Sequence, residues 1–312
     1  MKQLMTERIR LKAYRRIRSF FAKLLIFALL LGFAYIILYP FLFKLLISFM
    51  SREDMHSALV ELIPMHWTLE TYRFVVLETE YLPALGNTLL YALTAGLLGT
   101  LSAAMVGYGL AKFRFRGVRL LTVVVIVIML MPLQTLSIPI YLNFHFFDIL
   151  GLFRLFGGEG INLLDTVWPL IIMSATGFGF RAGVFIILMR QYYLGVPNEL
   201  IEAAYVDGSG PYRTFVRIIL PMAKSMLIVV FSLAFAWQWT DTFLASLLHR
   251  NVKLLPNLVL MLNTTTINDT ERYMSYVQAN TAAILAIVPL ILFYCLLQKQ
   301  IIQGIERSGL VG

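Results

Sequence analysis

Charge is scarce in this chain. Only 14% of its 312 residues are Asp, Glu, Lys or Arg, where a soluble globular domain carries about 25%. Cysteine is nearly missing too: Cys295 is the single copy, so no intramolecular disulfide can form and no thiolate metal cluster is suggested. The histidines, His56, His66, His145 and His249, lack metal-ligand spacing such as H-E-x-x-H, and no metal is assigned. The phosphate cradle G-x-x-x-x-G-K-[ST] does not occur, so any ATPase this chain works with must be another subunit. Low-complexity tracts and convincing internal repeats are absent, and no loop is large enough for a separate catalytic domain.

What the chain does have is apolar length. Hydrophobic residues make up 59% of it, and they gather in runs of about 20, the length a helix needs to cross a bilayer. A transmembrane barrel would show short alternating segments instead. The reading is an all-α polytopic membrane protein with six transmembrane helices, near 24–48, 84–111, 118–142, 166–190, 224–247 and 278–299.

The net charge of +9 is unevenly spread. Lys2, Arg8, Arg10, Lys12, Arg15, Arg16, Arg18 and Lys23 all fall in segment 1–23, as in a cytoplasmic flank held near anionic lipid; nucleic acid is not implied. Ile9, Ala13, Ile17, Phe20 and Leu24 recur at helical spacing, which suggests an interfacial helix. The run that follows is too long for a signal-peptide core and should remain as the first span. With the N-terminus inside, six spans put both termini in the cytoplasm. KFRFRGVR at 112–119 is basic, as an inside loop should be, and 51–83 is acidic. Segment 248–277 is the exception: Arg250, Lys253 and Arg272 sit where few cations are expected outside.

One polar stretch, ELIEAAYVDGSGPYRTFVRIILP at 199–221, falls on the inside. Asn198 is a candidate N-cap with Glu199 in the first turn, and Gly208 suits the stop of a helix over 199–206. Ser209 can cap a second helix with Pro211 in its first turn. Tyr212, Phe215, Ile218 and Ile219 would share one side, and Pro221 would end or kink the helix. Two such short helices form a knob that needs a packing partner.

The pattern Glu202-Ala203-Ala204, Gly208, Ile218 and Leu220-Pro221 resembles the EAA loop of ABC-importer permeases. HWTLETYRFV (66–75), NTLLYAL (87–93), GYGLAKFRFRG (107–117), Met131-Pro132 and IIQGIERSGLVG extend the likeness to carbohydrate importers of the MalG type, binding-protein-dependent transport inner-membrane components. The family's final Lys-Gly reads Val311-Gly312 here. Its Trp-Asn-Asp or Trp-Asn-Glu reads Trp239-Thr240-Asp241, so no role is carried to position 240.

The resemblance implies a type I permease core over 84–299, with a coupling loop at 197–221 and a cytoplasmic tail at 300–312. It implies a separate ABC ATPase dimer holding ATP and Mg, a second permease subunit in a heterodimer, and an extracytoplasmic binding protein delivering a sugar. The membrane would be the cell (inner) membrane of a prokaryote. Glu199, Glu202, Ala203, Ala204, Asp207, Gly208, Ile218, Leu220 and Pro221 would serve coupling, with Glu202 meeting a basic group of the ATPase. No enzyme activity and no cofactor are implied for this chain.

Arg181 stands within the fourth span, where a charge costs about 2.5–3.5 kcal/mol on insertion scales. It calls for either a structural partner, Asp241 being the obvious acid, or a water-filled path. Trp237 and Trp239, beside Gln238 and Asp241, suit a sugar, but equally an outer aromatic belt. Gly177, Gly179 and Gly183 suggest close helix packing, and Asn87 an interhelical hydrogen bond. Two other classes remain open from the residues alone. One is a secondary transporter, which needs mid-membrane ionisable groups. The other is a membrane enzyme acting on lipid-linked sugars, which needs paired acids or histidines at one face.

Overall fold

The computed structural model describes residues 2–57, 60, 62–179, 181–264 and 269–309, with side chains outside the description at 2–17, 56, 154, 263–273 and 305–309. Most of the N-terminal cations, Arg272 and the closing Val311-Gly312 therefore lie beyond it. The long helices are α1 (Lys2–Ile47), α4 (Tyr81–Lys112) and α16 (Asp269–Gly309). Between α1 and α4 come α2 (Arg52–His56) and α3 (Glu70–Glu78). Next are α5 (Val118–Leu130), α6 (Ser137–His145), α7 (Leu152–Leu155), α8 (Trp168–Ala175) and α9 (Ala182–Leu194). Then follow α10 (Asn198–Val206), α11 (Pro211–Thr214), α12 (Leu220–Met222), α13 (Lys224–Trp239), α14 (Phe243–Leu248) and α15 (Leu255–Thr264). Isolated bridges Met50–Trp67 and Phe147–Ile161 are the extended pairings among the described residues, so the all-α expectation stands.

The separate interfacial helix does not occur. Residues 2–31 contain neither Gly nor Pro, so nothing breaks the chain where the basic segment meets the first span. α1 is one helix of 46 residues, about 69 Å long at 1.5 Å per residue. Its stretch 20–42 is exposed, and its end joins α16 through Ile47, Met50 and Val277. Lys44 Nζ donates to Asn280 Oδ1 at 2.6 Å there.

Of the six expected spans, α1, α4 and α16 are long and apolar enough to cross a membrane unbroken. The other three are interrupted, each for a local reason, and counting each sharply bent helix pair as one span gives up to five candidate spans among the described residues where six were expected. In 118–142, Pro132 forces Met131 into an extended conformation, and the helices on either side meet at 95°. In 166–190, α8 and α9 are separated by 176–181, where Gly177 and Arg181 have φ of +77° and +59°. In 224–247, Asp241 starts a new helix, accepting from the backbone N–H of Phe243, Leu244 and Ala245 at 3.2–3.3 Å. Pro256 lies in the first turn of α15, where its missing N–H costs nothing.

α4 is the centre of the fold, packing against α8, α9, α13 and α15. Its buried face is built of small residues, among them Ala92, Ala95, Gly96, Gly99, Ala103, Ala104 and Gly107. A Cβ on Gly107 would lie 2.8 Å from Met189 Cβ and 2.9 Å from the Arg190 amide nitrogen. Only a bare backbone fits there, which is the close approach that small residues permit between membrane helices. Asn87 donates to the Lys253 carbonyl at 3.0 Å, a bond from α4 to the loop before α15 where one between helices was expected.

Candidate functional site: the α10–α12 knob and the cavity at the broken fourth span

α10 ends in a Schellman motif. Gly208 stands at φ +81°, its N–H reaches the Tyr205 carbonyl at 3.0 Å, and the Ser209 N–H reaches Ala204 at 2.9 Å. Both orphan carbonyls are satisfied because Gly208, which has no Cβ, takes the left-handed turn that aims its own N–H and that of Ser209 back at the helix, as the sequence led one to expect. The start differs. α10 begins at Asn198 itself, so the N-cap position falls on Pro197 and there is no side-chain cap; Asn198 Oδ1 accepts from Lys112 Nζ at 2.8 Å. Lys112 also donates to the Val196 carbonyl, so the last turn of α4 holds the base of the knob. Ser209 makes no cap either: Gly210 precedes α11, and Pro211 is in its first turn as expected.

The chain then enters a π-turn over Phe215–Ile219, with the Leu220 N–H bonding back to Phe215. Pro221 has no N–H, and its ring would collide with the carbonyl four residues before it in a regular helix. The wider turn absorbs one residue, and the chain bends by 79° before α13. Phe215 and Ile219 are buried and Ile218 is partly so, but Tyr212 is 77% exposed, contrary to the one-sided stripe expected. Beneath the knob, Tyr108 packs on Phe215 with ring centroids 4.8 Å apart and on Tyr193 at 5.6 Å. Tyr192 Oη donates to the Met222 carbonyl at 2.8 Å.

Glu199, Glu202, Ala203, Asp207 and Gly208 are exposed. Ala204 is not: it is 5% exposed and faces inward with Ile201, so of the two alanines only Ala203 presents itself outward. Ile218 and Leu220 pack on the core, and Pro221 marks the bend. Val206, at 87% exposure, adds an apolar element to the outer face.

At the other end of α9 lies a cavity of about 630 Å³. Its walls include Gln134, Asn143, Phe144, Thr176 and Arg181. The left-handed Arg181 immediately precedes α9, and its guanidinium lies 4.6 Å from the centroid of the Trp237 ring, a cation–π distance. Trp237 in turn stacks on Phe185 at 5.3 Å. The expected Arg181–Asp241 ion pair is not made, since the buried Asp241 carboxylate serves the N-terminus of α14. Trp239 is also separate. It is 3% exposed, packs on Phe235 and donates Nε1–H to the Ala286 carbonyl at 3.0 Å. The four residues grouped as a path thus divide into Arg181 at the cavity, with Trp237 against its guanidinium, and Trp239 with Asp241 in the framework.

Gly177 and Gly179 belong to the break at 176–181. Gly183 is a packing glycine, where a Cβ would meet Met129 Cβ at 3.0 Å and the Val125 carbonyl at 3.1 Å. Sequence reasoning did not single out Lys112, which was read only for topology, nor Gln134, Asn143 and Thr176. A lone cation ending a span next to a polar loop was the available signal for Lys112. Among the described residues no group of three His, Cys, Asp or Glu side chains could hold a metal ion.

A bundle of unbroken and broken apolar helices around a small-residue spine, carrying a polar helix-turn-helix and a lateral cavity, defines a multi-pass permease. Residues 95–307 match the model of the binding-protein-dependent transport system inner membrane component, and the chain belongs to that family. It is the inner-membrane permease component of an ABC importer, a transporter subunit and not an enzyme.

A probable ABC transporter permease protein of Pyrococcus horikoshii is 27% identical over 277 residues, covering 88% of this chain and 92% of that one. The maltodextrin transport system permease protein MdxG of Bacillus subtilis is 29% identical over 246 residues, covering 79% and 81%. The diacetylchitobiose uptake system permease protein NgcG of Streptomyces coelicolor is 26% identical over 282 residues, covering 90% and 86%. Among solved structures, a chain of a bacterial ABC transporter importing the acidic polysaccharide alginate superimposes with a TM-score of 0.69. It is 25% identical, and the match covers 88% of this chain and 95% of that one.

Proposed function

We propose that this chain is the membrane-spanning subunit of an ATP-driven importer of a sugar or oligosaccharide, coupled to its ATPase through the α10–α12 knob. Relatives named for maltodextrin, diacetylchitobiose and alginate support the saccharide class. In this reading the knob and both termini face the cytoplasm, and segments 1–23 and 300–312 flank the spans on that side. A second permease subunit completes a heterodimer, a binding protein delivers the sugar from outside, and ATP and Mg are held by an ABC ATPase dimer. The domain division follows, with a core over 84–299 and the coupling loop at 197–221.

The observation that carries the reading is the knob's construction. Glu202, Ala203 and Asp207 stand exposed on one small body, while Lys112, Tyr192 and Phe215 tie that body to α4, α9 and the bend into α13. A force on the knob is thereby passed to three spans. Coupling further requires that the ATPase contact the knob differently in its open and closed states, because equal affinity shifts no equilibrium. Closure of the ATPase then moves the knob, and the spans turn the Arg181 cavity from one side of the membrane to the other. Glu202→Lys should leave insertion intact and abolish ATP-dependent uptake in proteoliposomes. Uptake at the normal rate in that variant would refute the coupling role.

A further inference from the structure

The turn between α4 and α5 reads FRFRG at 113–117. Gly117 stands at φ +101°, and α5 starts behind it without a side-chain cap. Arg114, Arg116 and, in the first turn of α5, Arg119 are exposed. No Asp or Glu occurs between Glu80 and Asp148, and among the described residues no carboxylate forms an ion pair with any of the three. A helix start is itself the positive end of the peptide dipole. Three arginines gathered there repel it and one another, an arrangement that an anion would complete.

The chemistry of that anion follows from what stands between the cations. Phe113 and Phe115 alternate with the arginines and are each 45% exposed. The apolar surface runs on into α5, where Leu120, Leu121, Val123 and Val124 are exposed as well. The turn closes the unbroken span α4, so it lies where hydrocarbon gives way to headgroups. Rings at that level sink towards the acyl chains, while guanidiniums reach outward and grip phosphate oxygens two at a time. A free phosphate would satisfy the arginines and leave the phenylalanines in water.

The same few residues hold the knob. Lys112, one position before the turn, donates to the Val196 carbonyl and to Asn198 Oδ1. The Phe113 ring packs edge-on against Tyr108 at 5.5 Å, and Tyr108 carries Phe215 and Tyr193 on its other sides. We infer that the 113–119 turn binds the phosphate of an anionic phospholipid in the cytoplasmic leaflet, and that the bound headgroup steadies the knob through Phe113 and Lys112. This rests on the coupling reading, in which turn and knob face the cytoplasm, and adds a lipid partner to it.

The test uses the whole importer in proteoliposomes, free of cysteine except for Leu121→Cys labelled with bimane; Cys295→Ser removes this chain's own thiol. Nitroxide-labelled phosphatidylglycerol and phosphatidylcholine are compared as quenchers at equal mole fraction. Phosphatidylglycerol should quench in preference. Arg116→Gln should lower that relative affinity about five-fold, the weight of one cation at an anionic surface. Replacing Arg114, Arg116 and Arg119 together by Gln should abolish it. Hydrogen exchange over 198–210 should be slower in vesicles containing a quarter phosphatidylglycerol than in phosphatidylcholine alone. Phe113→Leu should keep the quenching preference and lose that difference.

Equal quenching by the two lipids, or a preference kept by the triple variant, overturns the headgroup site. Quenching by neither means that a protein surface covers the turn, and overturns it too. So does loss of the preference when inorganic phosphate replaces chloride at equal ionic strength, which marks a site for the free anion. Where the triple variant does not assemble, Arg116→Gln decides. Exchange over 198–210 that ignores lipid composition, or a lipid effect intact in Phe113→Leu, overturns the link to the knob. Neither measurement uses transport, so the coupling reading stands or falls separately, by uptake in Glu202→Lys.

Discussion

The knob at 198–222 and the break at 176–181 sit at opposite ends of one helix, α9, yet they are built on different principles. The knob is shaped by neighbours in sequence: Gly208 closes α10, Pro211 opens α11 and Pro221 dictates the bend. The break gathers its chemistry from afar, with Arg181 placed against Trp237 of α13 and across a cavity from Asn143 of α6. Local backbone rules can make a docking body of fixed shape. A passage for a substrate needs surfaces contributed by several spans, and so needs the whole bundle.

The severest way to break this comparison is to remove what both regions share. Gly107→Leu would drive a side chain into Met189 Cβ and the Arg190 backbone, parting α4 from α9. The cost is that of overpacking, about 1–3 kcal/mol or more, and the yield of monodisperse protein on size exclusion in detergent should collapse. A gentler change separates the two regions. Gly208 at φ +81° has open space around it, so Gly208→Val costs about 1–2 kcal/mol through conformation alone. Uptake should drop while accessibility labelling of a cysteine placed in the cavity is unaltered. Gly208→Asn, which tolerates the left-handed region, should restore most of the transport.

The smallest effect concerns a third kind of local structure, held by titrating side chains. His66 donates its backbone N–H to the Asp54 carboxylate, and its ring nitrogen Nδ1 lies 2.8 Å from the same group. That hydrogen bond and the Asp54 charge raise the His66 pKa. Burial pushes the Asp54 carboxyl up, but the hydrogen bonds from His66 outweigh it and hold the pKa below the usual range. The tie is therefore complete between about pH 3.9 and 6.5, the unfolded values. It is lost as pH rises through the raised His66 pKa, and again as pH falls through the lowered Asp54 pKa. Hydrogen exchange at 62–68, corrected for intrinsic rates, should be slowest in that window, and His66→Ala should remove the alkaline arm.

What could be read from the sequence follows the same division. The apolar runs, the Gly208 stop, the first-turn Pro211 and the Pro221 bend are all consequences of residues within a turn of one another. The reading failed where a distant partner intervened. Asn198, read as the cap of α10, is instead its first helical residue, and its side chain bonds Lys112, 86 positions away. Asp241 chooses the backbone amides ahead of it over Arg181, because three local donors are fixed in place and a distant guanidinium is not. Ala204 is one of the coupling residues that the resemblance implies, yet the helical phase that exposes Ala203 turns Ala204 to the core. Continuity was the remaining failure: hydropathy locates membrane-crossing segments but does not register where Pro132, Gly177 or Asp241 interrupt them.

The π-turn at Phe215–Ile219 has a consequence for counting residues along this chain. Its surplus residue means that Gly208 and Pro221 stand one position further apart than a plain helix would need. Deleting a residue there would let the hydrogen bonds close in ordinary α fashion. Everything before the turn would then rotate by about 100° around the helix axis, and Glu202 would point to a different quarter of the compass. The interval between glycine and proline is thus an angular setting, and the chain stores it as length.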